Sequence, residues 1–135
     1  MDLEKEQKLR DEFMKQVYSD VAFDHGQNPR NMGILEESNA FGFMMEDCGD
    51  TIAIWLKIKG NKIEEISFST DGCINALAVG SMTTELAKGK TISDAQKISQ
   101  QDILNALGGL PETGFGCALT ATNALKEALK NFQPE

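Results

Sequence analysis

The chain has one histidine and three cysteines in 135 residues, and each scarcity closes a line of reading. A cysteine hydrolase or transferase needs a base to activate its thiol, and His25 is the only imidazole available. Three cysteines, Cys48, Cys73 and Cys117, cannot all pair with one another, and none belongs to a CxxC, so neither a zinc ribbon nor a thioredoxin motif is present. In a reducing compartment they are free thiols or ligands. Positive charge is also short, with 13 basic against 21 acidic residues and a formal net charge of −8, which argues against nucleic acid or an anionic membrane as the main partner. The acidity suits solubility, or attraction to a basic protein. No uninterrupted apolar run approaches a membrane-spanning length, and the opening MDLEKEQKLRDEF is a charged helical pattern and not a secretion signal, so the expected location is the cytoplasm. Repeats, low-complexity segments and long linkers are missing as well. The chain therefore reads as one domain over residues 1–135, long enough to bury roughly two thirds of the unfolded surface.

What is present is regular hydrophobic patterning. Leu9, Phe13, Val17 and Val21 fall at helical spacing between Leu3 and about Asp24, before Gly26 and the turn-forming NPRNMG, which predicts an amphipathic helix and then a loop. Residues 1–17 of that helix need not be held firmly to the rest. Ile52, Ile54, Leu56 and Ile58 alternate with other types, Gly60-Asn61 is a turn dipeptide, and Ile66, Phe68 and Thr70 resume a period of two; this is a β-hairpin, with a third strand near Phe41 to Met45. Ile63 is out of phase with Ile66, which predicts a bulge. After the Asp71-Gly72 turn a helix runs from about Cys73 or Ile74 until Gly89. Thr91 with Asp94, and Ser99 with Asp102, mark capped starts of two short helices. A last helix follows Cys117, with Ala121, Leu125, Ala128 and Phe132 on one stripe.

All three cysteines thus fall at junctions, one just before a strand and two near helix starts, where backbone N–H groups favour a thiolate and loop ends can converge. Each could instead be a small buried hydrophobe. Gly49, Gly72 and Gly116 adjoin the three cysteines and allow tight turns and close backbone approach, which core cysteines do not need. The stretch Met45 to Asp50, MEDCGD, places a thiol among carboxylates that disfavour its ionisation. A metal cation would make thiolate and carboxylate compatible neighbours.

The stretches YSDVAFDHGQNPRNMG, DCGDTIAIWLKI, STDGCINALAVGSMTTELAKGKTISDAQ and GLPETGFGCALTATNALKEAL, in that order, resemble the iron-sulfur cluster assembly scaffold family, IscU and the N-terminal domain of NifU. The resemblance runs from about Tyr18 to Leu129 and includes all three cysteines. It implies an α+β fold of the SufE/NifU kind: a small antiparallel sheet of about three strands packed against helices, flanked by N- and C-terminal helices. It also implies a scaffold that is not an enzyme, on which a 2Fe-2S cluster is built on Cys48, Cys73 and Cys117 from iron and from sulfur delivered by a cysteine desulfurase of the IscS/NifS kind. The cluster would then pass to apo iron-sulfur recipient proteins, and a homodimer around a cluster is compatible with this role. Three thiolates and one weaker oxygen ligand would hold a cluster without locking it in, and Asp50 is the best local candidate for the fourth position. Asp50 could otherwise serve only as a turn residue.

The chain departs from the family at informative places. The Lys-x-His-Cys run at the third cysteine corresponds to Gly114, Phe115, Gly116 and Cys117, so the ligand histidine and the lysine are absent and the fourth ligand is open between Asp50, an external thiol and a partner's residue. The chaperone-recognition sequence Leu-Pro-Pro-Val-Lys keeps only Leu110 and Pro111, which makes handover through a dedicated Hsp70-type chaperone doubtful. The alternative reading is a zinc-binding sulfur acceptor like SufU, with Cys48, Asp50, Cys73 and Cys117 on zinc; the short interval between Cys73 and Cys117 is IscU-like and ranks this second. His25 reads as a capping or packing residue, Trp55 as a cover for the opposite sheet face, and Met44-Met45 as packing.

Overall fold

The computed structural model describes residues 2–46 and 49–134. Its elements in order are α1 (Leu3–Val17), α2 (Asp20–Gln27), β1 (Ala40–Met45), β2 (Thr51–Lys59), β3 (Lys62–Thr70), α3 (Ile74–Ala87), α4 (Ile92–Ala95), α5 (Gln100–Ala106), a 3-10 turn (Glu112–Gly114) and α6 (Phe115–Asn131). The three strands form one antiparallel sheet in the order β1-β2-β3. This is the expected α+β class, with α3 and α6 lying on one face of the sheet.

Alternation along β2 decides which face is covered. Ile52, Ile54, Leu56 and Ile58 point inward and are buried, while Thr51, Ala53, Trp55 and Lys57 face the other way. On that outer face the Phe41 and Trp55 rings lie 5.3 Å apart, so Trp55 does cover the opposite side. The phase change at Ile63 is a register shift between Lys57 and Ile58: Leu56 opposes Ile66, whereas Ile58 opposes Ile63. One extra residue on β3 keeps both isoleucines in the core. Beyond β3, Phe68 N–H donates to Asn31 C=O at 2.9 Å and Gly33 N–H to Phe68 C=O at 2.8 Å, so residues 31–33 cover part of that edge.

The helices supply small residues to the sheet. Ala121, Ala124, Leu125 and Ala128 of α6 are fully buried. Gly42 of β1 lies so close to the α6 backbone that a Cβ there would come within 2.9 Å of Ala128 Cα and nearer still to Ala124 O and Ala128 N. Thr91 and Ser99 cap the short helices as expected, Ser99 and Asp102 forming a reciprocal capping box.

Two expectations are corrected. The first helix does not run on to Asp24; it stops at Val17, and a second begins after Ser19. Tyr18 turns its ring inward to Asn75, and Ser19 caps α2 through Ala22 N–H while its hydroxyl donates to Leu107 C=O, so tertiary partners interrupt a periodicity that continues unbroken in the sequence. Met45 is the second correction: it is exposed, while Met44 packs partly against the core. His25, in contrast, is buried in α2 with Nδ1 2.7 Å from Ser81 Oγ, a packing role. Among the described residues no helix is long and apolar enough to cross a membrane.

Candidate metal centre

The chain entering β2 and the chain leaving β3 meet at one end of the sheet. Thr51 N–H donates to Asp71 Oδ1 at 2.8 Å and the Thr51 hydroxyl to the same oxygen at 3.0 Å. The Thr70 hydroxyl donates to Thr51 C=O at 2.6 Å and accepts from Gly72 N–H at 3.0 Å. These bonds clasp the turn before β2 to the turn after β3. The bonds from Thr51, its N–H first, hold the Asp71 carboxyl below the usual range. A depressed acid stabilises the fold above its unfolded pKa, so this clasp persists at neutral pH and loosens as pH falls through the lowered value.

Each cysteine has its own placement. Cys48 lies outside the described residues. Its neighbours in the chain are tied together, with Glu46 N–H donating to Asp50 C=O at 2.7 Å and Gly49 N–H to Glu46 C=O at 2.9 Å. Cys73 is the N-cap of α3, in extended conformation and exposed. Cys117 sits in the first turn of α6, only 3% exposed. Asp50 belongs to the same end: its Oδ2 lies 3.2 Å from where a Cβ on Gly72 would be, directly before Cys73. Burial pushes the Tyr18 phenol up, and the charges of Cys73 and then Cys117 add to this, so the ring sits within electrostatic reach of both sulfurs. Its hydroxyl is anchored by Asn75 Oδ1 at 2.7 Å, two residues into α3.

The sequence did not mark Glu46. The Cys117 thiol donates to Glu46 Oε2 at 3.6 Å, and Glu46 Oε1 is 2.8 Å from the position of a Cβ on Gly116. Burial first, then the Glu46 charge and hydrogen bond, push the Cys117 thiol up to about 12, with smaller contributions from Cys73 and Asp50. Cys73, Cys117, Glu46 and Asp50 therefore share one electrostatic neighbourhood. Among the described residues no three histidine, cysteine, aspartate or glutamate side chains are close enough together to hold a metal ion. Beside Glu46 and Gly116 the surface opens into a groove of about 430 Å³ that also involves Thr113, Leu119 and Thr120.

A chemical consequence is directly measurable. In metal-free protein at pH 8, iodoacetamide is expected to alkylate exposed Cys73 and to leave Cys117 unmodified until denaturant is added, because Cys117 is buried and its thiol is held protonated beside Glu46. Peptide mass mapping reads the two sites separately, and equal labelling rates in the folded chain would contradict the burial of Cys117.

The residues from 17 to 135 match the family model described as NifU-like N terminal domain. The iron-sulfur cluster assembly scaffold protein IscU 1 of Archaeoglobus fulgidus is 46% identical over 117 residues, covering 86% of this chain and 76% of that protein. The nitrogen fixation protein NifU of a Nostoc species is 34% identical over 125 residues, covering 86% of this chain and 42% of the longer relative. Among solved structures, a nitrogen-fixing NifU-like protein (N-terminal) from Brucella abortus superposes with a TM-score of 0.66 at 17% identity, over 88% of this chain and 96% of that one, which is a likeness of fold. On the strength of the family model and the archaeal relative, the chain belongs to the NifU-like N-terminal domain family, the group of the IscU scaffolds.

Proposed function

We propose that this protein, as one domain over residues 1–135, is a scaffold on which a 2Fe-2S cluster is assembled from iron and desulfurase-derived sulfur and then handed to apo-proteins. The cluster is cargo, and the protein acts as a binding platform and not a catalyst. The observation that carries this reading is the buried Cys117 thiol held against the Glu46 carboxylate at 3.6 Å, in a chain whose exposed Cys73 caps the start of α3. Without a cation, that pair is unfavourable: the Cys117 thiol is buried beside Glu46 and pushed up to about 12. A cation of iron turns the repulsion between thiolate and carboxylate into shared attraction.

In this reading Cys48, Cys73 and Cys117 hold the cluster, and Asp50, on the Cys73 side, supplies a harder and less tightly held oxygen. The clasp between Thr51 and Asp71 keeps the two turns in register while cargo enters and leaves. The exposure of Cys73 gives an incoming sulfur donor or recipient access, and the net charge of −8 favours partners with a basic face.

The test is anaerobic reconstitution with ferrous iron, cysteine and a cysteine desulfurase, followed by iron and acid-labile sulfide analysis and by transfer to an apo-ferredoxin read by visible circular dichroism. Equal iron and sulfide with transfer support the scaffold; zinc retained with no labile sulfide under the same conditions overturns it in favour of a sulfur acceptor. Asp50→Ala is expected to keep its cluster and release it more slowly, because three thiolates remain and an outside donor fills the vacancy. Immediate loss of the cluster would make Asp50 an essential ligand, and unaltered transfer would leave it a turn residue.

A further inference from the structure

We propose that Glu46 is a protein oxygen donor to the metal bound at this site, acting on the Cys117 side as Asp50 does on the Cys73 side. The inference rests on the metal-binding reading above and adds a ligand to it.

The geometry is specific to this carboxylate. Glu46 directly follows β1, its backbone fixed by the bonds to Asp50 and Gly49, and its side chain crosses to the start of α6, 71 residues further along the chain. One oxygen accepts from the Cys117 thiol and the other occupies the space directly beside Gly116, where a Cβ would come within 2.8 Å of it. The missing side chain at position 116 and the position of the Glu46 carboxylate are thus two halves of one arrangement. A side chain at 116 would require the carboxylate to shift from this position.

Among the described residues, other nearby donors are few or engaged elsewhere. The run Gly114, Phe115, Gly116 contributes no side-chain donor before Cys117. Thr113 is engaged by Asn75 Nδ2 at 3.4 Å, and His25 by Ser81 on the far side of α3. Among the described residues, Glu46 and Asp50 are the carboxylates whose charges act on Cys117, Glu46 by direct contact, and Asp50 also lies beside Gly72, directly before Cys73. Carboxylate oxygen is a good donor for divalent first-row ions, and a carboxylate beside a thiolate offers ferrous iron a mixed pair that neither residue offers alone.

The probe is Co²⁺ added anaerobically to the metal-free full chain, followed by its visible d–d bands and its thiolate-to-metal charge transfer, with Zn²⁺ affinity measured against a chromogenic chelator. Glu46→Gln, which keeps size and removes charge, is expected to weaken both metals by about tenfold or more and to shift the d–d bands while the thiolate band persists. Gly116→Ala, which displaces the carboxylate without touching it chemically, is expected to weaken binding in the same direction. Wild-type affinity and bands in Glu46→Gln overturn the assignment, and so does weakening in Gly116→Ala alone. Cys73→Ser and Cys117→Ser separate the two levels: if they abolish the thiolate band while Glu46→Gln changes nothing, the metal site stands without Glu46; if no variant has an effect, the metal-binding reading fails with it.

Discussion

Cys117→Ser is expected to retain at most about a tenth of the iron and sulfide that the wild-type chain holds after reconstitution, with Cys73→Ser close behind. A hydroxyl is a far poorer iron ligand than a thiolate, and the two sulfurs stand on different helices, so neither can move to cover for the other. The replacement is nearly isosteric at a site 3% exposed, and the serine hydroxyl can donate to Glu46 as the thiol does, so folding should be preserved. Far-ultraviolet circular dichroism of the metal-free variants checks that point. Full cluster content in correctly folded Cys73→Ser and Cys117→Ser would remove both residues from the ligand set.

The largest effect on stability is expected from Gly42→Ala, a gain of one methyl group. The added Cβ would meet Ala124 O and the Ala128 backbone, which cannot rotate away as a side chain can. Strand β1 and helix α6 must separate, opening the layer that holds Ala121, Leu125 and Ala128. Overpacking of this kind costs about 3 kcal/mol, which corresponds to a fall of about 10 °C in Tm for a chain of this size. Thermal denaturation of the metal-free variant measures it, and a change below about 2 °C, set against that expectation, would mean that β1 and α6 lie further apart than described here.

Local chemistry made much of this fold readable in advance. The alternation Ile52, Ile54, Leu56, Ile58 marks a strand with one buried face, and the phase slip at Ile63 marks the bulge, because both are properties of neighbouring residues. The placement of Cys73 at the start of a helix follows from the Asp71-Gly72 turn, and the caps at Thr91 and Ser99 from hydroxyls three residues ahead of acids. The end of α1 could not be read in this way. Leu9, Phe13, Val17 and Val21 continue the same spacing across Tyr18 and Ser19, and the break comes from Asn75 and Leu107, partners far along the chain. Glu46 was hidden for the same reason. Gly116 was legible as a residue that needs room beside it, but the object occupying that room is a carboxylate from the end of another element.

Helix α1 has no buried residue, and Leu3, Leu9 and Phe13 are each more than half exposed. Among the described residues its side chains meet the remainder through a partial contact of Met14 with the core and the Lys15 ammonium 5.6 Å from the Phe23 ring centre. A helix of 15 residues with so little tertiary support has only marginal stability of its own in water. Its amide hydrogens should exchange with deuterium long before those of α3 and α6, and its ellipticity should decline gradually on warming instead of joining the cooperative melt. The unfolding curve of this chain therefore begins on a sloping baseline, and a two-state fit that treats the slope as instrumental drift would undercount the helix lost.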